Sequence, residues 1–233
     1  MKRVSKRLKK CVEAIDKNKR YSLEEAVTVL KNIPHPRFDE TVEVACKLNI
    51  NPKQSEQMVR GTTVLPHGIG KTVRVCAFCK GEDVNKAKNA GADYAGSSEL
   101  IEKIKKGWLE FDKTASTPEM MKEVAQLGKI LGPRGMMPSP KAGTVGPDIA
   151  AIVKDLKSGK VQFKTDKTGN IHAIVGKVSF SVKDICENIS ALIKAILSAR
   201  PQAVKGRFIK NTSISTTMGP AVKLDISRLG QIR

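Results

Sequence analysis

At 233 residues the chain is longer than one domain of typical size requires, and 40% hydrophobic with 28% charged residues excludes wholesale disorder. The 42 Lys and Arg outnumber the 23 Asp and Glu, and the formal net charge of +19 indicates a polyanionic partner, with nucleic acid ahead of an anionic membrane. No apolar run reaches the roughly 18 residues of a membrane span, the basic N-terminus lacks the apolar core of a secretory signal, and five scattered Cys favour reduced thiols in the cytoplasm.

The first predicted elements are a helix and a strand. Ser22 can cap a helix in which Glu25, three residues on, completes a capping box, and this helix should end before Pro34. From Thr41 to Ile50 apolar and polar residues alternate, apart from Ala45. That alternation is typical of a strand with one solvated face.

The middle of the chain has a different pattern. Thr72 to Lys80 is nearly continuous in apolar residues and predicts a buried strand. Short helical and extended patterns then alternate, which is typical of a small α/β domain with a mostly parallel sheet. The predicted helices lie near Val84–Ala90, Ser98–Lys106, Pro118–Leu131 and Pro147–Ser158, and the extended segments near Ala92–Ala95 and Phe111–Ala115.

From Lys160 onward the sequence again predicts antiparallel strands. A strand, a turn over Asp166–Asn170 and a second strand over Ile171–Lys177 are predicted there. A helix from about Val182 to Ala199 follows and is stopped by Pro201. A last hairpin should turn at Thr217–Pro220.

The two outer segments share α+β patterns that the middle lacks. We therefore predict a discontinuous α+β domain of residues 1–68 and 160–233, with an antiparallel, split β-α-β-like sheet, and an α/β domain of residues 69–159 inserted into it. Charge supports this division, because the outer segments carry a net +15 and the middle only +4. We expect the polyanion to bind the outer domain, whose electrostatic field is stronger.

One glycine-rich segment superficially resembles a phosphate-binding loop. Gly68-Ile-Gly-Lys-Thr72 ends in the required Gly-Lys-Thr, but Leu65 stands where the pattern needs a glycine. A strand rather than a helix follows Thr72, so no helix dipole is available for an anion. We favour a hinge between the two domains.

The cysteines and histidines do not form a recognisable reactive site. Cys76 and Cys79 have the spacing of a zinc or redox pair, but without a second pair we interpret them as buried strand residues. His35, His67 and His172 are far apart, with no acid or cysteine arranged as a triad or metal site. The sequence therefore predicts no enzyme, cofactor, metal or small-molecule substrate.

A loop rich in glycine and proline runs from Leu131 to Gly146. Its composition fits no regular element and predicts an ordered path, with a structural role favoured over direct contact with a ligand. Its first part, Leu131-Gly-Pro-Arg-Gly-Met-Met-Pro138, resembles the signature of the large-subunit ribosomal protein L-one family, bacterial type. Similar family motifs occur, in the family's order, at Phe38–Glu43, Val59–Gly68, Gly169–Ala173 and Ser213–Pro220, so the resemblance covers almost the whole chain.

The resemblance implies a fold and a function. In that family both chain ends form an RNA-binding α+β domain, and a Rossmann-like α/β domain is inserted on a hinge. A member is expected to bind ribosomal RNA at the mobile stalk as a monomer and to help deacylated transfer RNA leave the exit site. Bacterial relatives can also repress translation by binding their own messenger RNA.

The family's pattern also implies which residues contact RNA. A charged guanidinium can bind a phosphate with two N–H groups, hydroxyls can exchange hydrogen bonds with 2′-hydroxyls, and a methionine can lie against a sugar or base. Many family members carry Lys where this chain has Arg37, which changes the donor geometry. The residues implied are Arg37, Phe38, Thr41, Ser215, Thr217, Met218 and Gly219, flanked by Lys167 and His172.

Alternatives stay open at the level of sequence. Phe38 is equally compatible with a core position, and Met218-Gly-Pro with a simple tight turn. A nucleotide-dependent enzyme would use the middle domain, but that segment lacks a Gly-x-Gly-x-x-Gly turn and any grouping of acid, base and nucleophile. A nonspecific DNA-compacting protein would account for the charge but not for its uneven distribution.

Overall fold

A computed structural model describes residues 5–16, 18–52, 54–202, 204 and 206–225 of the chain. Its contacts divide the chain into two compact units, Met1–Gly70 with Val161–Arg233 and Lys71–Lys160, which we call the first and second units. None of the helices in the described ranges is long and apolar enough to cross a membrane. That each unit is a domain able to fold by itself stays a prediction.

The structure contains both long amphipathic helices and short helical turns. The helices, in chain order, are α1 (Lys6–Glu13), α2 (Leu23–Asn32), α3 (Glu82–Asn89), α4 (Ser98–Lys105), α5 (Met121–Val124), α6 (Gly128–Leu131), α7 (Ile149–Lys157) and α8 (Val182–Ser198). Short 3-10 turns cover Ser55–Gln57, Ala125–Leu127 and Pro140–Ala142.

Strands form both antiparallel and parallel sheets. They are β1 (Thr41–Leu48), β2 (Arg60–Val64), β3 (Val75–Phe78), β4 (Tyr94–Gly96), β5 (Lys113–Ser116), β6 (Lys160–Lys164), β7 (Asn170–Lys177), β8 (Ile209–Thr216) and β9 (Val222–Lys223). The sheet orders are β7-β1-β8-β9, β2-β6 and β4-β3-β5.

The four-stranded antiparallel sheet of the first unit is built around β1. This strand pairs with β7 along one edge and with β8 along the other. Its predicted alternation is confirmed, because Val42, Val44, Cys46 and Leu48 are buried while the residues between them are not. One face of the sheet therefore enters a core and the other does not.

Helices α2 and α8 cover the buried face of this sheet. The predicted capping box of α2 is confirmed, with Ser22 accepting from the Glu25 N–H and the Glu25 carboxylate accepting from the Ser22 N–H. Leu30 of α2 and Ile189 and Leu192 of α8 join the sheet's apolar side chains in one cluster. Burial of such side chains stabilises by about 25 cal/mol per Å² of apolar area removed from water.

Asn188 connects α8 to its surroundings within this core. Its side chain is fully buried, and its amide donates to Val175 O at 2.8 Å and to Gly68 O at 3.0 Å. Its Oδ1 accepts from the His67 N–H at 3.1 Å. One side chain thus satisfies three main-chain groups on β7 and on the segment that follows β2.

The second unit contains the predicted parallel sheet, with β3 between β4 and β5. Cys76 in β3 and Cys79, which directly follows that strand, are fully buried free thiols, so their predicted burial is confirmed and only Cys76 is a strand residue. Burial, with a smaller contribution from Cys79, raises the pKa of Cys76 to about 12, so this thiol stays protonated at neutral pH.

Two local predictions need correction. The single helix predicted over Pro118–Leu131 is wrong: the segment consists of α5, a 3-10 turn over Ala125–Leu127 and α6. The buried positions Val124, Leu127 and Leu131 keep helical spacing, and the segment tightens to 3-10 geometry at Ala125–Leu127, before the helical Gly128. Helix α1 was not predicted, because only one of its eight residues, Cys11, is buried and the apolar periodicity is therefore weak.

Replacing Asn188 by Ala should lower the free energy of unfolding by about 3 kcal/mol, because one buried and two partly buried main-chain groups lose their partner. Urea denaturation at 25 °C measures this change. Ser190→Ala on the same helix is the control, since its hydroxyl bonds only to Cys186 O of its own helix. Equal stability of Asn188→Ala and the control would contradict the structural role of Asn188.

Candidate RNA-binding site

The sheet of the first unit has one face that none of this unit's described helices covers, which we call the open face. The strand register arranges its side chains in rows. Each row runs across β7, β1 and either β8 or Thr217, which directly follows β8. The rows are Lys177–Thr41–Thr217, Ile174–Glu43–Ser215, His172–Ala45–Ser213 and Asn170–Lys47–Asn211.

Direct hydrogen bonds join the two predicted patches at one end of the open face. The Thr41 N–H donates to the Thr217 hydroxyl at 3.1 Å, and the Thr217 N–H donates to Thr41 O at 3.1 Å. The start of β1 and the turn after β8, separated by 176 positions, are therefore neighbours. Sequence alone could place them only by family resemblance.

Two large apolar side chains protrude at this end. Phe38 and Met218 are each 53% exposed. The alternative that Phe38 belongs to the core is thus excluded. Exposed aromatic and thioether groups on a charged protein are suited to contact with bases or sugars rather than with water alone.

The polar side chains at this end differ in whether they already form hydrogen bonds within the protein. The Thr217 hydroxyl donates to Thr41 O at 3.3 Å besides accepting from Thr41, and the Thr41 hydroxyl accepts from Lys177 Nζ at 2.9 Å. In contrast, the side chains of Arg37 and Ser215 have no hydrogen bond to any residue that the structure describes. Arg37 and Ser215 are therefore the readiest donors for a phosphate or a 2′-hydroxyl.

Gly219 occupies a position where a side chain does not fit. A Cβ at this residue would lie 2.3 Å from the Thr216 hydroxyl oxygen. That hydroxyl is buried and has no hydrogen-bond partner among the residues that the structure describes. The turn between β8 and β9 thus keeps its path because residue 219 has no Cβ.

The other end of the open face is an ordered turn that presents Lys167. Hydrogen bonds from the Asn170 N–H and from the Thr168 hydroxyl and N–H hold the pKa of Asp166 well below its usual range. Gly169 supplies the positive φ of +79° that this turn requires. Lys167 is exposed at its tip, while its backbone is fixed by the ionised Asp166.

His172 lies on β7, which β1 separates from β8. It pairs with Ala45, which pairs with Ser213, and its side chain is 60% exposed. Four residues along β8 separate Ser213 from Thr217, which corresponds to about 13 Å. The nine predicted residues therefore occupy or border one face, with Lys167 and His172 away from the Met218 end.

Sequence reasoning missed several residues of this face. Lys47, Lys177 and Ser213 contribute polar groups, and Ile174 is 40% exposed. Their signal was present in the period-two alternation of the strands, but the sequence does not show which strands are neighbours. Glu43 is the acid at the centre of the face, where a carboxylate repels phosphates and can accept from a 2′-hydroxyl or a base amino group.

Each histidine lies beside a carboxylate. His35 contacts Glu40 at 2.5 Å, His67 contacts Glu187 at 2.7 Å, and His172 lies 4.0 Å from Asp166. Among the residues that are described, no group of three or more His, Cys, Asp and Glu is placed to hold a metal ion.

The glycine- and proline-rich loop belongs to the second unit. Thr114 donates to Met136 O, and the Ser139 N–H donates to the Thr144 hydroxyl at 2.8 Å. These contacts fix the loop within its own unit. Arg134, at the exposed tip, belongs to the second unit.

The chain is similar to known proteins over most of its length. The model of the ribosomal protein L1p/L10e family matches residues 29–220. The large ribosomal subunit protein uL1 of Protochlamydia amoebophila is 50% identical over 226 residues, which are 97% of this chain and 96% of that relative. The family match includes all nine predicted contact residues.

Gly219→Ala should destabilise the protein by about 2 kcal/mol, because the new methyl group overlaps the Thr216 hydroxyl. Thermal and urea unfolding measure the loss. Adding Thr216→Ala should restore most of it, since that change removes the overlapping oxygen. Gly128→Ala, with nothing within 4 Å of its Cβ, is the control and should not destabilise. No rescue by the second substitution would show that the overlap is not the cause.

Proposed function

The chain belongs to the ribosomal protein L1p/L10e family, and from this we propose that the open face of its first unit binds ribosomal RNA at the mobile stalk of the large subunit. Family membership makes it a protein of the large ribosomal subunit and not an enzyme. The observation that carries the proposal is an uncovered sheet face with cations at both ends and exposed apolar groups at one.

The proposed binding uses each kind of side chain differently. Double-stranded RNA hides its base edges in a deep groove, so phosphates, 2′-hydroxyls and irregular loops carry recognition. Arg37 and Lys167 bind phosphates, and Ser215 bonds to a 2′-hydroxyl. Phe38 and Met218 contact sugars or unstacked bases. Thr41, Thr217 and Gly219 shape the turn that carries Met218.

The same proposal extends to the cycle of translation. The first unit anchors on the stalk RNA as a monomer, and the stalk moves with it, so that deacylated transfer RNA leaves the exit site. We also propose that the open face binds a similar RNA fold in the chain's own messenger and represses its translation. The strong positive charge of the chain supports both RNA partners, since phosphate contacts are shared by all RNA.

Met218→Asp should weaken binding to a stalk ribosomal RNA fragment by at least about 30-fold, because it places a carboxylate at the centre of a desolvated contact. Affinity is measured by filter binding across a salt series, with a scrambled duplex as competitor. For the wild type, log affinity should fall linearly with log salt, and the stalk fragment should bind far more tightly than the duplex.

Leu197→Asp is the matched control. Leu197 is 38% exposed on α8, in the helix layer rather than on the open face, and the substitution adds the same charge. It should change affinity less than about threefold. Equal binding of both RNAs, with Met218→Asp behaving like the control, would leave only general polyanion binding.

Competition between the stalk fragment and the chain's own messenger leader for binding to the protein tests the proposed repression. Failure of the leader to compete would contradict it.

A further inference from the structure

The main chain of Met218 is held from both sides by charged side chains of other elements. The Met218 N–H donates to Glu40 Oε1 at 2.7 Å. The Met218 carbonyl accepts from Arg7 Nη2 at 2.7 Å. The partners lie 178 and 211 positions away in sequence, so neither contact comes from the turn itself.

Glu40 is fixed in this position by its surroundings. Its side chain is only 1% exposed, and its second oxygen lies 2.5 Å from His35 Nδ1. The other ring nitrogen of His35 lies 3.3 Å from Lys31 O, at the end of α2. A buried carboxylate that lost these partners would be an uncompensated charge, so the arrangement resists rotation of Glu40.

Arg7 connects the same turn to a second loop. Its Nη1 donates to Pro34 O at 3.0 Å while Nη2 donates to Met218 O. The segment that begins at Pro34 carries Phe38, and the turn carries Met218. The two most exposed large apolar side chains of the described residues therefore stand on loops joined by Arg7 and Glu40.

We propose that Arg7 and Glu40 are positioning residues for RNA binding, which hold the Met218 turn in its bound geometry before RNA arrives. The inference rests on the proposed function of the open face. Ordering a loop on binding weakens affinity, and ordering it beforehand removes that penalty. The main-chain groups of Met218 are occupied within the protein, so its side chain alone is offered to RNA.

A direct role for Arg7 is the competing explanation. As a phosphate contact, Arg7 would contribute to the salt dependence of binding and would act independently of Met218. As a positioning residue, it acts through Met218 and leaves the salt dependence unchanged. The two roles are therefore separable by coupling and by salt.

The test compares stalk RNA affinity across a salt series for wild type, Arg7→Gln, Met218→Ala and the double variant. Arg7→Gln should weaken binding about tenfold. In the Met218→Ala background the same change should cost about twofold or less, since the side chain it positions is gone. Lys9→Gln removes an equal charge from α1, at a side chain without a hydrogen bond to the described residues. It should be additive with Met218→Ala.

Glu40 provides a second, independent arm. Glu40→Gln keeps an oxygen acceptor for the Met218 N–H and should bind RNA within about threefold of wild type, whereas Glu40→Leu should lose about tenfold or more. The amide hydrogen exchange of Met218 in the RNA-free protein should accelerate in Arg7→Gln and in Glu40→Leu but not in Lys9→Gln. This readout needs no RNA and detects the ordering itself.

The possible outcomes distinguish failure of the proposed RNA-binding face from failure of the positioning role. Wild-type affinity of Met218→Ala would overturn both the proposed face and the positioning role. Weaker RNA binding by Met218→Ala together with an Arg7→Gln effect that is fully additive would overturn only the positioning role. So would an Arg7→Gln variant whose slope of log affinity against log salt is lower by about one, as expected for a lost phosphate contact. Unchanged exchange of the Met218 amide in Arg7→Gln and Glu40→Leu would overturn it as well.

Discussion

The first unit depends on strand β1, which pairs along both edges with strands from the other end of the chain. Closing such long loops costs conformational entropy, which the two backbone ladders and the burial of alternate side chains offset. Because successive residues of a strand face opposite sides, covering one face with α2 and α8 leaves the other uncovered. The open face is thus a direct consequence of the register that forms the core.

The charge on that face is not uniformly basic. Cations lie at its two ends, at Lys177 and Arg37 on one side and at Lys167 and Lys47 on the other, while Glu43 lies in the middle. Phosphate contacts provide affinity and orientation but little selectivity. A central acid disfavours indiscriminate phosphate binding and leaves selectivity to hydroxyl and apolar contacts, which depend on shape.

Both ends of the face use internal polar contacts to order short segments. Asp166 satisfies N–H groups of its own turn, and Thr217 satisfies the N–H and the carbonyl of Thr41. These contacts leave the exposed side chains, Lys167 and Met218, on backbones that are already fixed. For the RNA binding proposed above, a surface of this kind lowers the entropic cost of association, since little of the protein remains to be ordered.

Features of the fold that depend on neighbouring residues could be predicted from the sequence. The pairing of strands that are distant in the chain could not. Three such features appear as predicted: the capping box of α2, the alternation in β1, and the alternating helices and parallel strands of the second unit. The helix predicted across Gly128 was wrong as one continuous element, because the segment changes to 3-10 geometry at Ala125–Leu127 and no local pattern in the sequence marks that change. Lys47 and Lys177 were missed, because nothing in their local sequence shows which strand lies beside them.

The sequence by itself determined the positive charge, the class of each main element and, through its motifs, the family to which the chain is similar. Only the tertiary structure decided that Thr41 lies against Thr217, that Phe38 is exposed, and that Arg7 and Glu40 meet at Met218. The physical reason is that periodicity and capping act over a few residues, whereas register and buried polar pairing join residues far apart in the chain. A pattern along one segment specifies which face is apolar, but not what will cover it or what will stand beside it.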